Sequence, residues 1–223
     1  MFVAARPDPK VVICTPIYDR PTMDYLRSFM ALERPWPTLN EIGHITSSAR
    51  QRLTSAALAA GATHLMFIDD DMTFPPDAIT RLLSWDLPIV SGLAFMRRKG
   101  FAPTIFYAKP ESTPVRPLFK PADTWPADER IQADATGAAF LLVKREVFDG
   151  ISMKFGEGSW WYTPSGCPGE DIAFCIRAKA AGFPITIDTG LKIGHVATVV
   201  LHEALAKFLA EHPESLPAAL QGQ

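Results

Sequence analysis

The sequence predicts an α/β protein, a three-layer sandwich in which helices cover both faces of a mostly parallel central sheet. The first observation is an alternation of short apolar runs with longer segments at helical spacing, in the order β, α, α, β, α, β up to Phe95. The second is a proline-rich stretch over residues 97–130, which predicts a small antiparallel or loop-rich portion. The third is a return of the strand and helix pattern after that stretch.

The first half of the chain supplies most of the predicted sheet. The run KVVICTPIY predicts a buried strand, and RPTMDYLRSFMALE a helix that the prolines of RPWPTL end. The segment ITSSARQRLTSAALAAGA predicts a second helix, which Ser47 or Ser48 caps and Gly61 terminates. A second buried strand is predicted over HLMFIDD, and another strand over PIVSGLAF. Between them, PPDAITRLLSW predicts a short helix that opens on prolines.

The second half completes the pattern. A strand and the start of a helix are predicted over ATGAAFLLVKREVF, and a loop over FGEGSWWYTPSGCPG. The next helix is predicted over EDIAFCIRAKAAGF and ends at Gly182. PITIDTGLKIGHVATVV is strand-like, and LHEALAKFLAEH is a last amphipathic helix. We therefore divide the chain into one domain over residues 1–199 and a C-terminal amphipathic helix and tail over residues 200–223.

Composition excludes several classes of protein. The 223 residues are 48% hydrophobic and 21% charged, so the chain is not intrinsically disordered. A net charge of -2 gives no strong attraction to nucleic acid or an anionic membrane. Three cysteines without CxxC spacing predict neither a disulfide framework nor structural zinc. No apolar leader follows Met1 and no apolar run approaches the roughly 20 residues of a membrane span, so we expect a cytoplasmic protein.

Three consecutive aspartates follow the strand HLMFI. Side chains alternate along a strand, which would put Asp69 and Asp71 on one side and turn Asp70 to the other, as a local cap or a supporting group. Ligands of open α/β sheets bind beyond the carboxyl ends of strands, and hard divalent cations prefer oxygen ligands. The run therefore predicts a Mn²⁺ or Mg²⁺ site. The alternative is a helix N-cap with solvated charge, since DMTFPPDAI leads into a helix.

Two adjacent acids, Glu170 and Asp171, open a later helix. Negative charge is favoured there by the helix dipole, which is a sufficient structural explanation. The functional alternative is a general base that takes a proton from a hydroxyl. The preceding aromatics Trp160, Trp161 and Tyr162 either pack in the core or shelter an acceptor, and the residues do not decide between these interpretations.

Other polar residues are candidates of the same kind. A lone histidine after a strand is usually structural, so His195 in LKIGHV becomes a metal ligand only if it meets the aspartates in space. Arg50 and Arg52 begin a helix, where an arginine fork suits phosphate or simply faces solvent. The small residues Gly137 and Ala138 would let a ligand approach the backbone, although tight packing explains them equally well.

A basic run, Arg97, Arg98 and Lys99, follows the strand PIVSGLAF and is either a diphosphate or polyanion site or a charged loop. Several motifs are absent from the sequence. It has no GxGxxG, GxxxxGK[ST], GxSxG or HExxH, which excludes the corresponding dehydrogenase, P-loop, hydrolase and zinc-protease sites. No nucleic-acid-binding motif is present either.

Four segments occur in an order that resembles the GT-A glycosyltransferases. The segments are VVICTPIYDR, SSARQRLTSAALAAGATHLMFIDDDMTFPPDAI, ATGAAFLLVKREVF and GEDIAFCIRAKAAGFPITIDTGLKIGH. The chain looks most like the large inverting family 2 and its small bacterial and phage relatives, over about residues 10–196. The resemblance implies a nucleoside-diphosphate-sugar donor, with a UDP-sugar expected first, and Mn²⁺ or Mg²⁺ as cofactor.

The resemblance also implies roles on the donor side. Thr15, Pro16 and Tyr18 would flank the nucleoside, with Arg50 and Asp70 near the nucleotide. Three further side chains would form the metal shell and contact the ribose: Asp69, Asp71 and His195. One departure from the pattern is Gln51, where many relatives have an asparagine.

On the acceptor side, the resemblance implies that Asp171 is the catalytic base with Glu170 as its neighbour, and that Gly137 and Ala138 border the sugar. The reaction would be a single displacement. A nucleotidyltransferase is an alternative, but CTPIYDRPT lacks the expected glycine-rich loop. A catalytically inactive nucleotide-sugar-binding protein is another, against which the intact acids argue.

The acceptor is a free hydroxyl whose carrier the sequence does not specify. Saccharide, lipid-linked sugar, protein, small molecule and hydroxymethylated phage-type DNA all fit the resemblance, the last implying a host cytoplasm. The near-neutral charge gives the nucleic acid little support. The sequence predicts neither the donor sugar nor the oligomeric state.

Overall fold

A seven-stranded sheet runs through the centre of the protein and sets the position of the candidate site residues. The computed structural model describes residues 8–97, 101–113, 115–198 and 202–212. The strand order is β2-β1-β3-β10-β5-β11-β8. In chain order these strands are β1 (Val11–Ile17), β2 (Thr38–Ile42), β3 (His64–Ile68), β5 (Ile89–Leu93), β8 (Arg130–Ala133), β10 (Phe140–Lys144) and β11 (Ile185–Lys192).

Five of these strands run in one direction, which confirms the predicted mostly parallel sheet. β1 is parallel to both β2 and β3, and β11 is parallel to β5. β10 is antiparallel to its neighbours β3 and β5, and β8 is antiparallel to β11. The carboxyl ends of β1, β2, β3 and β5 therefore meet at one edge of the sheet, where α/β proteins bind ligands.

Helices cover both faces of this sheet and complete the three layers. One core cluster joins the sheet to the second, fourth and fifth helices through side chains such as Leu53, Phe148 and Phe174. The opposite cluster joins it to the first and third helices through Tyr25 and Ile79. The helices are α1 (Met23–Met30), α2 (Thr46–Ala59), α3 (Ala78–Ser84), α4 (Arg145–Phe155), α5 (Glu170–Ala180) and α6 (Glu203–Glu211).

Two smaller sheets flank the main one. An antiparallel sheet in the order β7-β6-β9 forms the predicted antiparallel portion, from β6 (Ile105–Ala108), β7 (Phe119–Pro121) and β9 (Ala135–Thr136). A two-stranded ribbon pairs β4 (Met72–Thr73) with β12 (Gly194–His195) in antiparallel register. This ribbon brings the end of the domain back to the aspartate run.

Strand β2 was not predicted from the sequence. Its residues TLNEI lie at the edge of the sheet, pair on one side with β1, and are only partly buried. An edge strand of this kind lacks both the apolar run and the clean alternation by which strands are recognised. Its presence changes the predicted order of elements to β, α, β, α, β.

The helix ends agree with the sequence at their C-termini and differ at one N-terminus. Gly61 and Gly182 follow α2 and α5 with φ of +76° and +94°, as expected of glycines that end helices. The predicted cap at Ser47 or Ser48 is wrong, because α2 begins after Ile45 and has no side-chain cap.

The C-terminal helix α6 has no buried residue, although its side chains Leu205, Phe208 and Leu209 form the expected apolar face. Leu201, predicted for the same face, and the tail after residue 212 lie outside the described residues. Within the described ranges, every helix is too short or too polar to cross a bilayer. The division at residue 199 stays a prediction.

Candidate functional site

The three aspartates form a turn beyond the carboxyl end of β3. The strand ends at Ile68, the Asp69 N–H donates to the Ala139 carbonyl at 2.9 Å, and residues 70 and 71 turn the chain into β4. Strand alternation therefore does not extend to these residues. The prediction that Asp70 turns away from Asp69 and Asp71 is wrong, because all three line one cavity.

This cavity, the aspartate cavity, has a volume of about 120 Å³ and lies at the carboxyl edge of the sheet. Burial and then the charges of Asp71 and Asp69 raise the pKa of Asp70 to about 6, while the Tyr18 N–H opposes the rise. The cavity thus concentrates negative charge that a cation would compensate. Among the described residues it is lined by Pro16, Ile17, Tyr18, His44, Thr46, Asp69, Asp70, Asp71 and Arg97.

His195 reaches the aspartate cavity from the far end of the domain. Its register partner in the β4–β12 ribbon is Met72, and the N–H of Val196 donates to the Asp71 carbonyl at 2.8 Å. This pairing puts His195 Nε2 3.3 Å from Asp71 Oδ1. The condition placed on His195, that it meet the aspartates in space, is satisfied.

Asp71 is held between two cationic side chains. Arg97 Nη1 lies 2.8 Å from its other oxygen, Oδ2. Burial raises the pKa of Asp71, but the hydrogen bond and charge of His195 and the charge of Arg97 outweigh burial and lower it overall. Asp71 is therefore ionised at neutral pH.

The pair Asp71 and His195 fits a divalent metal. His195 Nδ1 lies 2.8 Å from the Phe95 carbonyl, which only accepts, so Nδ1 carries a proton. Nε2 can donate to Asp71 when the imidazole is cationic, and offers its lone pair to a metal when the imidazole is neutral. Asp71 Oδ1 is buried and makes no well-formed hydrogen bond among the described residues. Within the same ranges, no cluster of three or more acidic, histidine or cysteine side chains could hold an ion by itself. A metal here would need further ligands from a bound substrate.

Arg50 connects the aspartate turn to the start of α5. It lies on α2, is 3% exposed, and donates from Nη2 to Asp69 Oδ1 at 2.7 Å and from Nη1 to Glu170 Oε1. Its Nε has no partner among the described residues. The Arg50 guanidinium, which was expected to suit phosphate, instead binds two carboxylates. Because Asp69 Oδ1 is bound to Arg50, only Oδ2 of Asp69 is left to bind a metal.

Asp171 lies in the first turn of α5, beside the charged side chains of Glu170 and Arg50. Its Oδ1 accepts from the Ile172 N–H at 2.7 Å. Burial, followed by the charge of Glu170, raises the pKa of Asp171 to about 6, although Arg50 lowers it. A carboxylate favoured by the helix dipole alone would have a lowered pKa. The helix dipole is therefore not the dominant influence on the pKa of Asp171.

Of the other predicted site residues, some lie at the candidate site and others are buried in the interior. A Cβ on Gly137 would lie 3.8 Å from Asp171 Oδ2, so this glycine borders the candidate base, and its place beside the sugar stays a prediction. Ala138 is buried in the core, and the hydroxyl of fully buried Thr15 is 3.0 Å from that of Tyr25. Tyr18 is exposed at the aspartate cavity.

Two of the three loop aromatics are packing residues. Trp160 and Trp161 are 5% and 1% exposed, and their indole N–H groups donate to Ser152 and Thr54. Tyr162 is 66% exposed. Of the basic run, Arg97 is paired with Asp71, and Arg98 and Lys99 lie outside the described residues, so the run gives no support to a nucleic-acid acceptor.

Sequence reasoning missed His44 and Thr46 at the aspartate cavity. Both follow β2, whose carboxyl end lies beside that of β1 because the strands are parallel. The available signal was the edge strand itself, since recognising it would have placed residues 43–46 at the ligand-binding edge. The ion pairs Arg50–Glu170 and Arg97–Asp71 had no local signal.

No family model and no curated protein matches this sequence. Solved structures do match its fold. A197 from STIV is 13% identical with a TM-score of 0.58, over 85% of this chain and 86% of that one. GalNAc-T7, crystallised with UDP, GalNAc and Mn²⁺, is 10% identical with a TM-score of 0.58, over 92% of this chain and 48% of that one.

This chain thus spans about half the length of GalNAc-T7. At these identities the likeness shows the fold alone, and the fold is that of the GT-A glycosyltransferases. The predicted fold class is confirmed.

Proposed function

We propose that this chain, with its GT-A fold, is a metal-dependent inverting glycosyltransferase that moves a sugar from a nucleoside-diphosphate sugar to an acceptor hydroxyl. The observation that carries the proposal is the meeting of His195 Nε2 and Asp71 Oδ1 at 3.3 Å. These residues are far apart in sequence, and the β4–β12 ribbon brings them to the edge of the sheet where ligands bind. The UDP and Mn²⁺ bound to GalNAc-T7 make a UDP-sugar the donor to test first.

Asp171 acts as the general base in this proposal. It takes the proton of the acceptor hydroxyl, whose oxygen forms a bond to the anomeric carbon of the donor sugar. The bond from that carbon to the diphosphate oxygen breaks, and the nucleoside diphosphate leaves with the electron pair. A single displacement of this kind inverts the anomeric configuration.

Asp71 and His195 would hold the Mn²⁺ or Mg²⁺. When bound, the metal would stabilise the negative charge that grows on the departing diphosphate. Asp70 and Arg97 line the same cavity, and Arg97 adds a positive charge beside Asp71. Tyr18 offers an exposed ring at the mouth of the cavity, where the nucleoside is expected.

The proposal is tested in two steps on the full chain. A thermal-shift screen of nucleoside-diphosphate sugars, with and without Mn²⁺, identifies the donor, because a ligand that binds the native state raises its melting temperature. Release of the nucleoside diphosphate is then measured for the parent, Asp71→Asn and Asp171→Asn. Loss of the metal ligand or the base should lower the rate by about a thousandfold or more.

The two variants should fail differently. Asp71→Asn should lose the Mn²⁺-dependent thermal shift, whereas Asp171→Asn should keep it and lose turnover. Asp77→Asn, an exposed acid at the start of α3 in the same stretch of chain, is the matched control and should behave like the parent. Full activity in both site variants would refute the mechanism, and binding without turnover in the parent would favour an inactive binding protein.

A further inference from the structure

The Asp71 carboxylate turns one oxygen into the protein and binds Arg97 with the other. Its Oδ1 is buried and lies 3.3 Å from His195 Nε2, whereas its Oδ2 lies 2.8 Å from Arg97 Nη1. The side chain of Arg97 is 52% exposed and that of Asp71 is 11% exposed, so Arg97 lies on the solvent side of the ion pair. A cation from solvent therefore approaches Asp71 through the oxygen that Arg97 covers.

The backbone that carries Arg97 is fixed, although its side chain reaches into solvent. Phe95 pairs with Pro103 in an antiparallel bridge, which holds the chain that follows β5. The Phe95 carbonyl also lies 2.8 Å from His195 Nδ1, so the same segment orients the histidine of the candidate metal site. The Arg97 guanidinium can consequently change its partner by side-chain rotation alone, without a change in the fold.

The Arg97–Asp71 pair contributes little to the stability of the fold. Water and salt screen an ion pair whose cation is half exposed, and ordering the long arginine side chain costs entropy. Stability therefore does not explain why Arg97 lies on this aspartate. For the same reason, separating Arg97 from Asp71 requires little free energy.

Among the described residues that line the aspartate cavity, Arg97 is the only arginine or lysine. The three carboxylates of the cavity would repel an anionic diphosphate. Arg50, the other arginine of the site, is buried and bound to Asp69 and Glu170. Because a guanidinium fork matches the oxygens of a phosphate, Arg97 is the side chain available to a diphosphate in this cavity.

We propose that Arg97 is an exchangeable counter-ion of Asp71, which leaves the carboxylate when a divalent cation binds there and then binds the diphosphate of the donor. Two cations on one carboxylate oxygen repel each other, so Arg97 and the metal compete for Asp71. This inference rests on the proposed function and adds a regulation to it. A nucleoside diphosphate that draws Arg97 away from Asp71 raises the affinity for the metal, and the metal raises the affinity for the nucleotide by the same factor.

Electron paramagnetic resonance on the full chain tests the proposal, because bound Mn²⁺ loses the sharp signal of the hydrated ion. The dissociation constant of Mn²⁺ is measured for the parent and Arg97→Gln, each with and without UDP, and a titration of UDP with Mn²⁺ in the absence of protein is subtracted. Without UDP, Arg97→Gln should bind Mn²⁺ about tenfold more tightly than the parent, because the competing cation is gone. The factor by which UDP tightens Mn²⁺ binding should fall about tenfold in the same variant.

Two further variants separate the role of Arg97 from a general effect of charge. Arg27 on α1 is also an exposed arginine, pairs with Asp24 at 3.1 Å, and does not line the aspartate cavity. Arg27→Gln is therefore the matched control and should bind Mn²⁺ and UDP like the parent. Arg97→Lys keeps the charge without the fork, so it should keep the weak Mn²⁺ binding of the parent and lose part of the UDP effect. Thermal unfolding first confirms that each variant is folded.

Unchanged or weaker Mn²⁺ binding by Arg97→Gln overturns the proposal, because Arg97 would then not compete with the metal. Equal tightening by UDP in the parent and in Arg97→Gln overturns the transfer of Arg97 to the diphosphate. A parent that binds Mn²⁺ and UDP but is matched by Arg97→Gln sinks only this inference. A parent that binds neither Mn²⁺ nor UDP sinks the proposed glycosyltransferase and this inference with it.

Discussion

Two arginine–carboxylate clusters, each with at least one buried member, differ in how completely their polar atoms are paired. In the first, Asp188 on β11 is 1% exposed and accepts from Arg81 Nε at 2.7 Å and from Nη2 at 2.9 Å. The Trp85 indole and the backbone N–H groups of Gly190 and Leu191 complete its shell. Every oxygen of this aspartate has a partner, and the cluster closes a bulge in the sheet.

In the second cluster, Arg50 is equally buried but is divided between two acids from distant segments, Asp69 and Glu170. Its Nε has no partner in the part of the chain that the structure describes, and the neighbouring Asp171 has a raised pKa. A buried charge without a full set of partners lowers stability, and strained electrostatics of this kind concentrate at functional sites. A fully paired buried ion pair favours a structural role, whereas an incompletely paired one is a candidate for a functional role.

The largest expected effect is a loss of stability at the saturated cluster, the one around Asp188 in which both carboxylate oxygens are paired. Asp188→Ala leaves the Arg81 fork and three N–H groups without their acceptor, and should lower the free energy of unfolding by about 4 kcal/mol. Urea denaturation measures this loss. Asp123→Ala removes an exposed acid 3.5 Å from Lys120 and should cost about 0.5 kcal/mol or less. A loss below about 1 kcal/mol for Asp188→Ala would contradict the structural role.

The second effect is a loss of activity at the unsaturated cluster, the one in which Arg50 binds Asp69 and Glu170. Arg50→Met frees both Asp69 and Glu170, and should lower kcat/KM by about a hundredfold through misplacement of reacting groups. In the parent, the rate should fall on the acid side of pH 6, where Asp171 becomes protonated. Arg50 lowers the pKa of Asp171, so its loss should move this limb to higher pH.

The conservative variant Arg50→Lys separates charge from geometry. It keeps the positive charge without the fork, and its acidic limb should stay closer to that of the parent than the limb of Arg50→Met does. The measurement is a pH profile of nucleoside diphosphate release. The same limb in all three proteins would show that Arg50 does not act on Asp171.

The third effect is smaller, and it is a substitution that raises the stability of the protein instead of lowering it. The pKa of Asp171 is about 6 in the folded chain against 3.8 for a free side chain, so the ionised form opposes folding. The stability that protonated Asp171 supplies is full below pH 3.8 and is lost as the pH rises through 6. Asp171→Asn should therefore stabilise the protein by about 1 kcal/mol at pH 7.5, with the gain shrinking towards pH 4.

Thermal unfolding at the two pH values measures the stabilisation by Asp171→Asn, and Asp77→Asn serves as the control with no pH-dependent gain. Equal stability of Asp171→Asn and the parent at pH 7.5 would mean that burial does not raise the pKa of Asp171.

The smallest effect is a loss of stability when the saturated cluster loses one hydrogen bond. Trp85→Phe removes one of the donors to Asp188 and keeps most of the aromatic surface, so it should cost about 1 kcal/mol. The rate of nucleoside diphosphate release should be unchanged, because Trp85 does not line the aspartate cavity. A change in kcat/KM larger than the change in stability would argue that the two clusters are coupled.

Local sequence predicted the parts of the fold that local interactions determine. Apolar runs specified β1, β3 and β5, and glycines ended α2 and α5 at the expected positions. The edge strand β2 was missed because its pairing with β1, and not its composition, makes it a strand. The cap at Ser47 or Ser48 was wrong for a related reason, since the chain enters α2 from β2 through Ile45.

The candidate site was predicted residue by residue but not in its arrangement. Asp171 was assigned through the resemblance of its GED segment, and the aspartates from their position after a strand. The inward position of Asp70 depends on the strand ending at Ile68, which sequence spacing does not fix. The commitment of Arg50 to Asp69 and Glu170 depends on the packing of α2 and α5 over the sheet.

The sequence by itself determined the α/β class, the order of most elements and the residue types available for chemistry, because periodicity and turn residues act over a few positions of the chain. Only the tertiary structure decided which of those residues meet. The 3.3 Å approach of His195 to Asp71 follows from the pairing of β4 with β12. Contacts between segments a hundred or more residues apart leave no mark on local sequence, because they arise only when the whole sheet has formed.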